Sequence, residues 1–276
     1  MKKNHLIGAC WVLTCKCNLN CPICYSYCGN EAVEETLYET VLEKLSIQRI
    51  RKITFGGGEP LLLKNINRII DRAKQYGFKT ALCTNGILLN DQFLHRMVGL
   101  LDGITLPIDG SNAQIHALHR GSQQHFEDVL EKARLIQKYS IEFDISTVVT
   151  AVNSSDLLNI QELIIKLGVK KWKIFQYYPL GKMRHLRKDF LLRKSIASTI
   201  EDIEKEHRNL QIDFRANKES AMRSYFNISP NGNILIVTGD KYQNIGSVIH
   251  DSDFVSSLEC NGFNFPLHYR RHRLDF

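Results

Sequence analysis

Thr14-Cys-Lys-Cys-Asn-Leu-Asn-Cys-Pro-Ile-Cys-Tyr-Ser-Tyr27 is the stretch on which the reading of this chain turns. Within it, Cys17, Cys21 and Cys24 are spaced C-x3-C-x2-C. Thiolates are soft donors that select zinc, copper(I) or iron–sulfur centres. A closed zinc site takes four protein ligands, and cysteine-held clusters commonly use four cysteines. A set of three therefore points to a centre with one position left open for chemistry. Cys15 and Cys28 lie close by, and with them the run could instead close a four-thiolate zinc knuckle. Cys10, Cys83 and Cys260 stand apart and read first as buried, inert thiols.

Working outward, 276 residues suffice for one large α/β barrel or two small domains. The 43% hydrophobic content can fill a packed core, and no run approaches the 18 apolar residues of a membrane span. The N-terminal MKKNHLIGACWVLTCKC faintly mimics a secretory leader. Its apolar run is broken, however, and no small-residue cleavage site precedes the cysteines. A cytoplasmic protein is expected, in which clustered thiols serve a metal or redox role more readily than disulfides. The net charge of +7 has dense patches at 170–173, 182–189 and 269–273. That excess suits a phosphate-bearing or other anionic ligand, or simply a solvated surface. No basic helix with interleaved aromatics and no repeat suggests binding to a nucleic-acid polymer.

Apolar runs rich in Val, Ile and Phe predict strands at 7–14, 52–55, 80–84, 104–108, 143–150 and 172–177. Helical periodicity predicts helices near 34–49, 64–76, 90–101, 124–139 and 155–167. This alternation implies a parallel sheet with right-handed crossovers, a partial (β/α)6 TIM-like barrel over residues 1–180. The cysteine loop directly follows the first strand, where a barrel carries its catalytic loops. Residues 181–276 change pattern, with a helix at 189–207 and strands at 210–214, 225–228 and 234–237. They read as a dependent α+β extension packed on the barrel mouth. Pro107 is awkward inside a parallel strand, so the fourth strand is expected to end early.

The other strand ends carry further polar residues. After the second comes Gly56-Gly57-Gly58-Glu59-Pro60, whose glycines allow close backbone approach and whose carboxylate could accept bonds from an ammonium. Thr84-Asn85 follows the third strand and Asp109-Gly110 the fourth. Arg120 offers a guanidinium fork that matches a carboxylate. Together with the cysteines, these segments resemble the radical S-adenosylmethionine (radical SAM) enzymes.

In that family, three such cysteines hold a 4Fe–4S cluster whose fourth iron is chelated by S-adenosylmethionine. The resemblance implies cofactor contacts at Tyr25, Gly57, Gly58, Glu59, Thr84, Asn85, Asp109 and Arg120. It also implies an electron donor such as flavodoxin or ferredoxin.

Later segments resemble viperin and its prokaryotic relatives, which dehydrate a nucleoside triphosphate. Lys171-Trp-Lys-Ile-Phe-Gln176 is similar to that family's W-K-V-F-Q segment, and Arg223–Ser229 and Leu274–Phe276 also match. The resemblance implies substrate contacts from Lys171, Lys173, Gln176 and Tyr225. Two departures oppose it. Phe143-Asp144-Ile145-Ser146 stands where those enzymes carry F-K-[IL]-N, and Asp144 would repel a triphosphate. Asp109-Gly110 stands where they carry D-S. Other radical reactions on a peptide or small molecule, such as epimerisation, dehydrogenation or carbon–carbon coupling, form the alternative. Cys83 or Cys260 would then be a candidate hydrogen donor. A non-catalytic zinc-binding module is the remote alternative.

Overall fold

Alternation of buried and cavity-facing residues along each strand organises the whole molecule. The computed structural model describes residues 6–27, 31–181, 188–207, 209–215 and 223–273. Its strands are β1 (Gly8–Thr14), β2 (Lys52–Gly57), β3 (Lys79–Cys83), β4 (Gly103–Pro107), β5 (Glu142–Val149), β6 (Lys171–Gln176), β7 (Gln211–Arg215), β8 (Phe226–Ile228), β9 (Asn233–Thr238) and β10 (Lys241–Ser247). The helices are α1 (Leu37–Ile47), α2 (Ile66–Gln75), α3 (Asp91–Met97), α4 (Ala113–Arg120), α5 (Gln124–Ile136), α6 (Leu157–Lys166), α7 (Ala197–Glu206), α8 (Phe254–Cys260) and α9 (Phe265–Arg273).

The strands form one sheet in the order β10-β9-β8-β1-β2-β3-β4-β5-β6-β7. Pairing is parallel from β8 through β1 to β7, and antiparallel only in β8–β9 and β9–β10. Trp11, Leu13, Ile53, Phe55, Ile145, Trp172 and Ile174 are fully buried in the core beneath the helices. Residues one position along, Cys10, Val12, Lys52, Thr54, Lys173 and Phe175, face the cavity instead. The period of two that divides a strand's faces thus separates core from site. On α2 the stripe Ile66, Ile69, Ile70 and Ala73 is buried. Each large aliphatic side chain there contributes about 1.5–3 kcal/mol.

β4 ends at Pro107, whose missing N–H would otherwise be a ladder donor. Helix α4 was not anticipated, although its signals are local. Asn112 accepts from the Ile115 N–H at 3.0 Å, and Gly121 closes the helix at φ +81°. The helix expected over 189–207 begins only at Ala197. β10, α8 and α9 were likewise not read from the sequence. The extension reaches the cavity by lengthening the sheet at both edges, β7 beside β6 and β8 beside β1. His268 of α9 accepts from the Ile7 N–H at 3.2 Å through Nε2. Its Nδ1 must then carry the proton it donates to Ser224 O, 3.0 Å away. That ring ties the last helix to the entry of β1.

Candidate active site

A cavity of about 480 Å³ opens among the loops after the strands and runs down into the space the sheet encloses. Its size lies within the range of small-molecule and cofactor sites. Cys17, Cys21 and Cys24 all line it. The Leu19 N–H points at Cys17 Sγ and the Ser26 N–H at Cys24 Sγ, each at 3.4 Å. Burial pushes the Cys21 thiol up, opposed by the Arg120 guanidinium beside it. Among the described residues, no three His, Cys, Asp or Glu side chains are already drawn to metal-ligand spacing. Three soft sulfurs on one wall, two facing N–H donors and one facing a guanidinium, nevertheless suit a thiolate-held cluster. Cys28 lies outside the described residues.

The glycine run allows β2 to lie against the cysteine loop. A Cβ on Gly57, which sits at φ +135°, would fall 2.2 Å from Thr14 O, and one on Gly58 would fall 2.1 Å from Lys16 O. The Gly58 N–H donates to Thr14 O at 2.7 Å and the Glu59 N–H to Lys16 O at 2.8 Å. Glu59 does not present an open carboxylate to a ligand ammonium. It is fully buried and accepts from Leu61 N, Thr84 Oγ1 and Asn85 N at 2.8–3.0 Å. Burial raises its pKa against those three hydrogen bonds. Glu59 therefore braces the loop after β3 against the loop after β2. Gly58→Ala is expected to push the two loops apart and lower stability by about 1–3 kcal/mol, measured by urea denaturation.

A chain of buried rings joins the next two loops. The Asp109 N–H donates to His116 Nδ1 at 3.1 Å, so that nitrogen is unprotonated and the proton sits on Nε2. His116 Nε2 then donates to His125 Nδ1 at 2.8 Å, and His125 Nε2 donates to Asn85 O at 2.8 Å. Every link has one donor and one acceptor, so both rings are held neutral with fixed tautomers. Burial lowers the His116 pKa to about 3 and lowers that of His125 as well. Asn85 in turn donates from Nδ2 to Asn18 Oδ1 at 2.7 Å, on the cysteine loop. A folded-state pKa below the unfolded value of about 6.5 means that stability falls as pH drops from about 6.5 toward 3. His116→Phe should flatten that loss in urea titrations at several pH values, and should weaken S-adenosylmethionine binding by loosening Asn85.

Asp109 is fully buried and takes up its oxygens within the protein. Oδ2 accepts from Arg120 Nε at 2.5 Å and Oδ1 from the Val148 N–H at 2.7 Å. Asp109 itself does not line the cavity; its carboxylate positions Arg120, the residue that faces both the cavity and Cys21. Tyr25, Gly57, Gly58, Thr84 and Asn85 line the cavity. Tyr25 stacks on Tyr178, with ring centroids 5.3 Å apart, and accepts from the Tyr178 N–H at 3.3 Å.

Deeper in the lumen lie Lys52, Cys83, Thr105, Ser146, Lys173, Phe175, Gln176, Arg215 and Tyr225. Lys173 Nζ lies 2.8 Å from Asp144 Oδ2 and 3.1 Å from Thr105 Oγ1. Lys171, two residues earlier on β6, does not line the cavity, whereas Lys173 and Gln176 do. Cys260 is exposed on α8 and does not line the cavity, whereas Cys83 does, as does Cys10. Burial pushes the Cys10 thiol up to about 12 and raises that of Cys83. Trp172 is core, donating to Thr147 Oγ1 at 2.8 Å. Sequence reasoning missed Arg215. Its guanidinium lies between the rings of Phe175 and Tyr225, at 4.4 and 4.3 Å, and bonds Asp213 at 2.7 Å. The alternation of Gln211, Asp213 and Arg215 along a parallel strand was the signal available.

The radical SAM superfamily profile matches residues 11–164, more than half of the chain. The chain belongs to the radical SAM superfamily, whose members use a 4Fe–4S cluster and S-adenosylmethionine, and it is an enzyme. An S-adenosylmethionine-dependent nucleotide dehydratase of Lacinutrix mariniflava is 33% identical over 180 residues, covering 59% of this chain and 37% of the relative. One of Flammeovirga pacifica is 32% identical over 178 residues, covering 59% and 60%. An AdoMet-dependent heme synthase of Methanosarcina barkeri is 29% identical over 178 residues, covering 62% and 51%. These matches span less than two thirds of each relative's own length. In fold, the chain is similar to Streptococcus suis SuiB bound to precursor peptide SuiA, with a TM-score of 0.73 and 13% identity, covering 96% of this chain and 66% of that one. It is equally similar to anSMEcpe with bound AdoMet, at TM-score 0.73 and 17% identity, covering 96% and 82%. No helix among the described residues is long and apolar enough to cross a membrane.

Proposed function

We propose that this enzyme dehydrates a nucleotide held in the lumen beneath its cofactors, with Cys17, Cys21 and Cys24 as the cluster ligands. Held by these thiolates, the cluster would supply one-electron reduction of S-adenosylmethionine, and with it the radical chemistry needed to take a hydrogen from the substrate. The chain's own residues bind, orient and exclude water. Gly57, Gly58, Thr84, Asn85 and Arg120 form the cofactor side of one continuous cavity. Arg120, held by Asp109, is poised to meet the methionine carboxylate as a guanidinium fork. Tyr25, stacked among Tyr177 and Tyr178, forms an aromatic wall beside Cys24.

The observation that carries the reading is that Lys173 and Gln176 of β6, Arg215 of β7 and Tyr225 line the same cavity as the three cysteines. A base or sugar can pack against Phe175 and Tyr225 while the cations and amide orient its polar groups. The names of the dehydratase relatives add support from sequence. The electron is taken to come from a small carrier such as flavodoxin or ferredoxin.

Anaerobic reconstitution with iron, sulfide and dithionite tests this, with 5′-deoxyadenosine scored by mass spectrometry against a panel of nucleosides and nucleotides. The expected result is a burst with one of them and a product lighter by one water. A substrate-independent background alone would reject nucleotides and turn the search to peptides and other small molecules.

A further inference from the structure

One peptide of the cysteine loop is held from both of its ends. The Tyr25 carbonyl and the Ser26 N–H belong to a single planar trans peptide, so they point in opposite directions. On one side the Ser26 N–H points at Cys24 Sγ, 3.4 Å away. On the other the Tyr25 carbonyl accepts from the Tyr242 phenol at 3.0 Å. Tyr242 thus acts, through one rigid group, on the hydrogen-bond donor that faces a cluster thiol.

Tyr242 lies on β10, just past the two-residue turn Gly239-Asp240 that leaves Thr238 paired with Lys241. Its ring packs on Tyr27, with centroids 4.8 Å apart, and both line the cavity together with Cys24 and Tyr25. Burial raises the Tyr242 pKa above its ordinary value, so the phenol keeps the proton that it donates. Gly181, at φ +75°, presses on the same peptide from a different segment. A Cβ there would fall 2.6 Å from the Tyr25 carbonyl carbon and 2.7 Å from its oxygen. The Tyr25 ring is held in turn by Tyr178.

Hydrogen bonds to the sulfurs are one of the levers that set the potential of a thiolate-held cluster. An N–H aimed at a thiolate favours the reduced state, because that state carries the greater negative charge. A bond accepted at the carbonyl also polarises the N–H at the far end of the same peptide. We propose that Tyr242 is a positioning residue for the cluster: by orienting and polarising the 25–26 peptide, it raises the reduction potential of a cluster held by Cys24. The C-terminal extension then tunes that potential from 217 positions away in sequence. The inference rests on Cys24 as a cluster ligand and does not depend on which substrate the lumen takes.

Redox titration of the anaerobically reconstituted protein tests this, followed by the electron paramagnetic resonance signal of the reduced cluster. Tyr242→Phe keeps the ring on Tyr27 and removes only the hydroxyl. Its midpoint potential should fall, so that the ratio of reduced to oxidised cluster at a fixed solution potential drops by about threefold or more. Iron content should match wild type. Tyr27→Phe is the control. Tyr27 Oη has no hydrogen-bond partner among the described residues, so its loss should leave the potential unchanged. Gly181→Ala displaces the same peptide without touching Tyr242 and should also lower the potential, which keeps the test decisive if Tyr242→Phe loads poorly. A midpoint potential equal to wild type in both variants overturns the proposal, as does an equal fall in Tyr27→Phe. Cys24→Ala decides the underlying reading separately. Full cluster iron in that variant would remove Cys24 from the ligand set and the inference with it. Loss of iron there, with unchanged potentials in Tyr242→Phe and Gly181→Ala, would sink the inference alone.

Discussion

Cys21→Ala, reconstituted anaerobically, is expected to lose the cluster's iron and visible absorption and to form 5′-deoxyadenosine at least on the order of 10³-fold more slowly, about 4 kcal/mol of lost transition-state stabilisation. Two thiols cannot replace three as a ligand set, and Arg120 beside position 21 would face a methyl group. The fold should survive. Cys21 is buried in a small satellite cluster with Ile23, Tyr177 and Phe190, apart from the main core. Removing its sulfur therefore costs about 1 kcal/mol in that cluster, on the scale of a buried methylene or slightly more. Thermal melts of the cluster-free proteins separate the two effects, and exposed Cys260→Ala serves as the control that keeps iron and turnover. Full iron content in Cys21→Ala would remove Cys21 from the ligand set.

The second large effect is on stability. Asp109→Ala leaves the Arg120 guanidinium buried without its carboxylate and the Val148 N–H without its acceptor. Breaking a buried ion pair on one side costs about 3–5 kcal/mol. Asp109→Asn keeps an acceptor for Val148 and should lose less, which distinguishes the charge from the hydrogen bond in urea denaturation. Burial alone would raise the Asp109 pKa, but the Arg120 guanidinium and the Val148 N–H hold it below the usual carboxylate range. With the folded value below the unfolded one, this stabilisation is present above about pH 4 and lost as pH falls through the folded pKa. Below about pH 4 wild type should lose more stability than Asp109→Asn, which keeps the histidine-linked loss alone of the two. A wild-type stability that stayed level through this acid range would argue against the depressed pKa.

Much of the barrel was legible because its information is local. Ile66, Ile69 and Ile70 mark a helix face whatever surrounds them, and six apolar runs placed six strands to within about two residues at either end. The cysteine spacing and the glycine run are likewise local, since a loop of fixed length brings Cys17, Cys21 and Cys24 to one wall. What was not legible is which way a polar side chain is used. Glu59 and Asp109 sit in motifs that resemble cofactor contacts, yet both carboxylates are consumed by N–H, hydroxyl and guanidinium donors from segments distant in sequence. Asp144 alone reads as a charge that repels an anion, but beside Lys173 it is half of a pair.

The sequence by itself determined the radical SAM class, the parallel β/α alternation and the thiol triplet, because periodicity and motif spacing act over a few residues. Only the tertiary structure decided that β7 and β8 extend the sheet at opposite edges, bringing Arg215 and Tyr225 into the lumen. It alone likewise decided that His116 and His125 lock the loops after β3 and β4 together. Those contacts join residues up to some forty positions apart for the histidine chain, and far more across the sheet edges. No local pattern encodes such partners, since strand pairing and the burial of charge are settled only when the sheet closes around them.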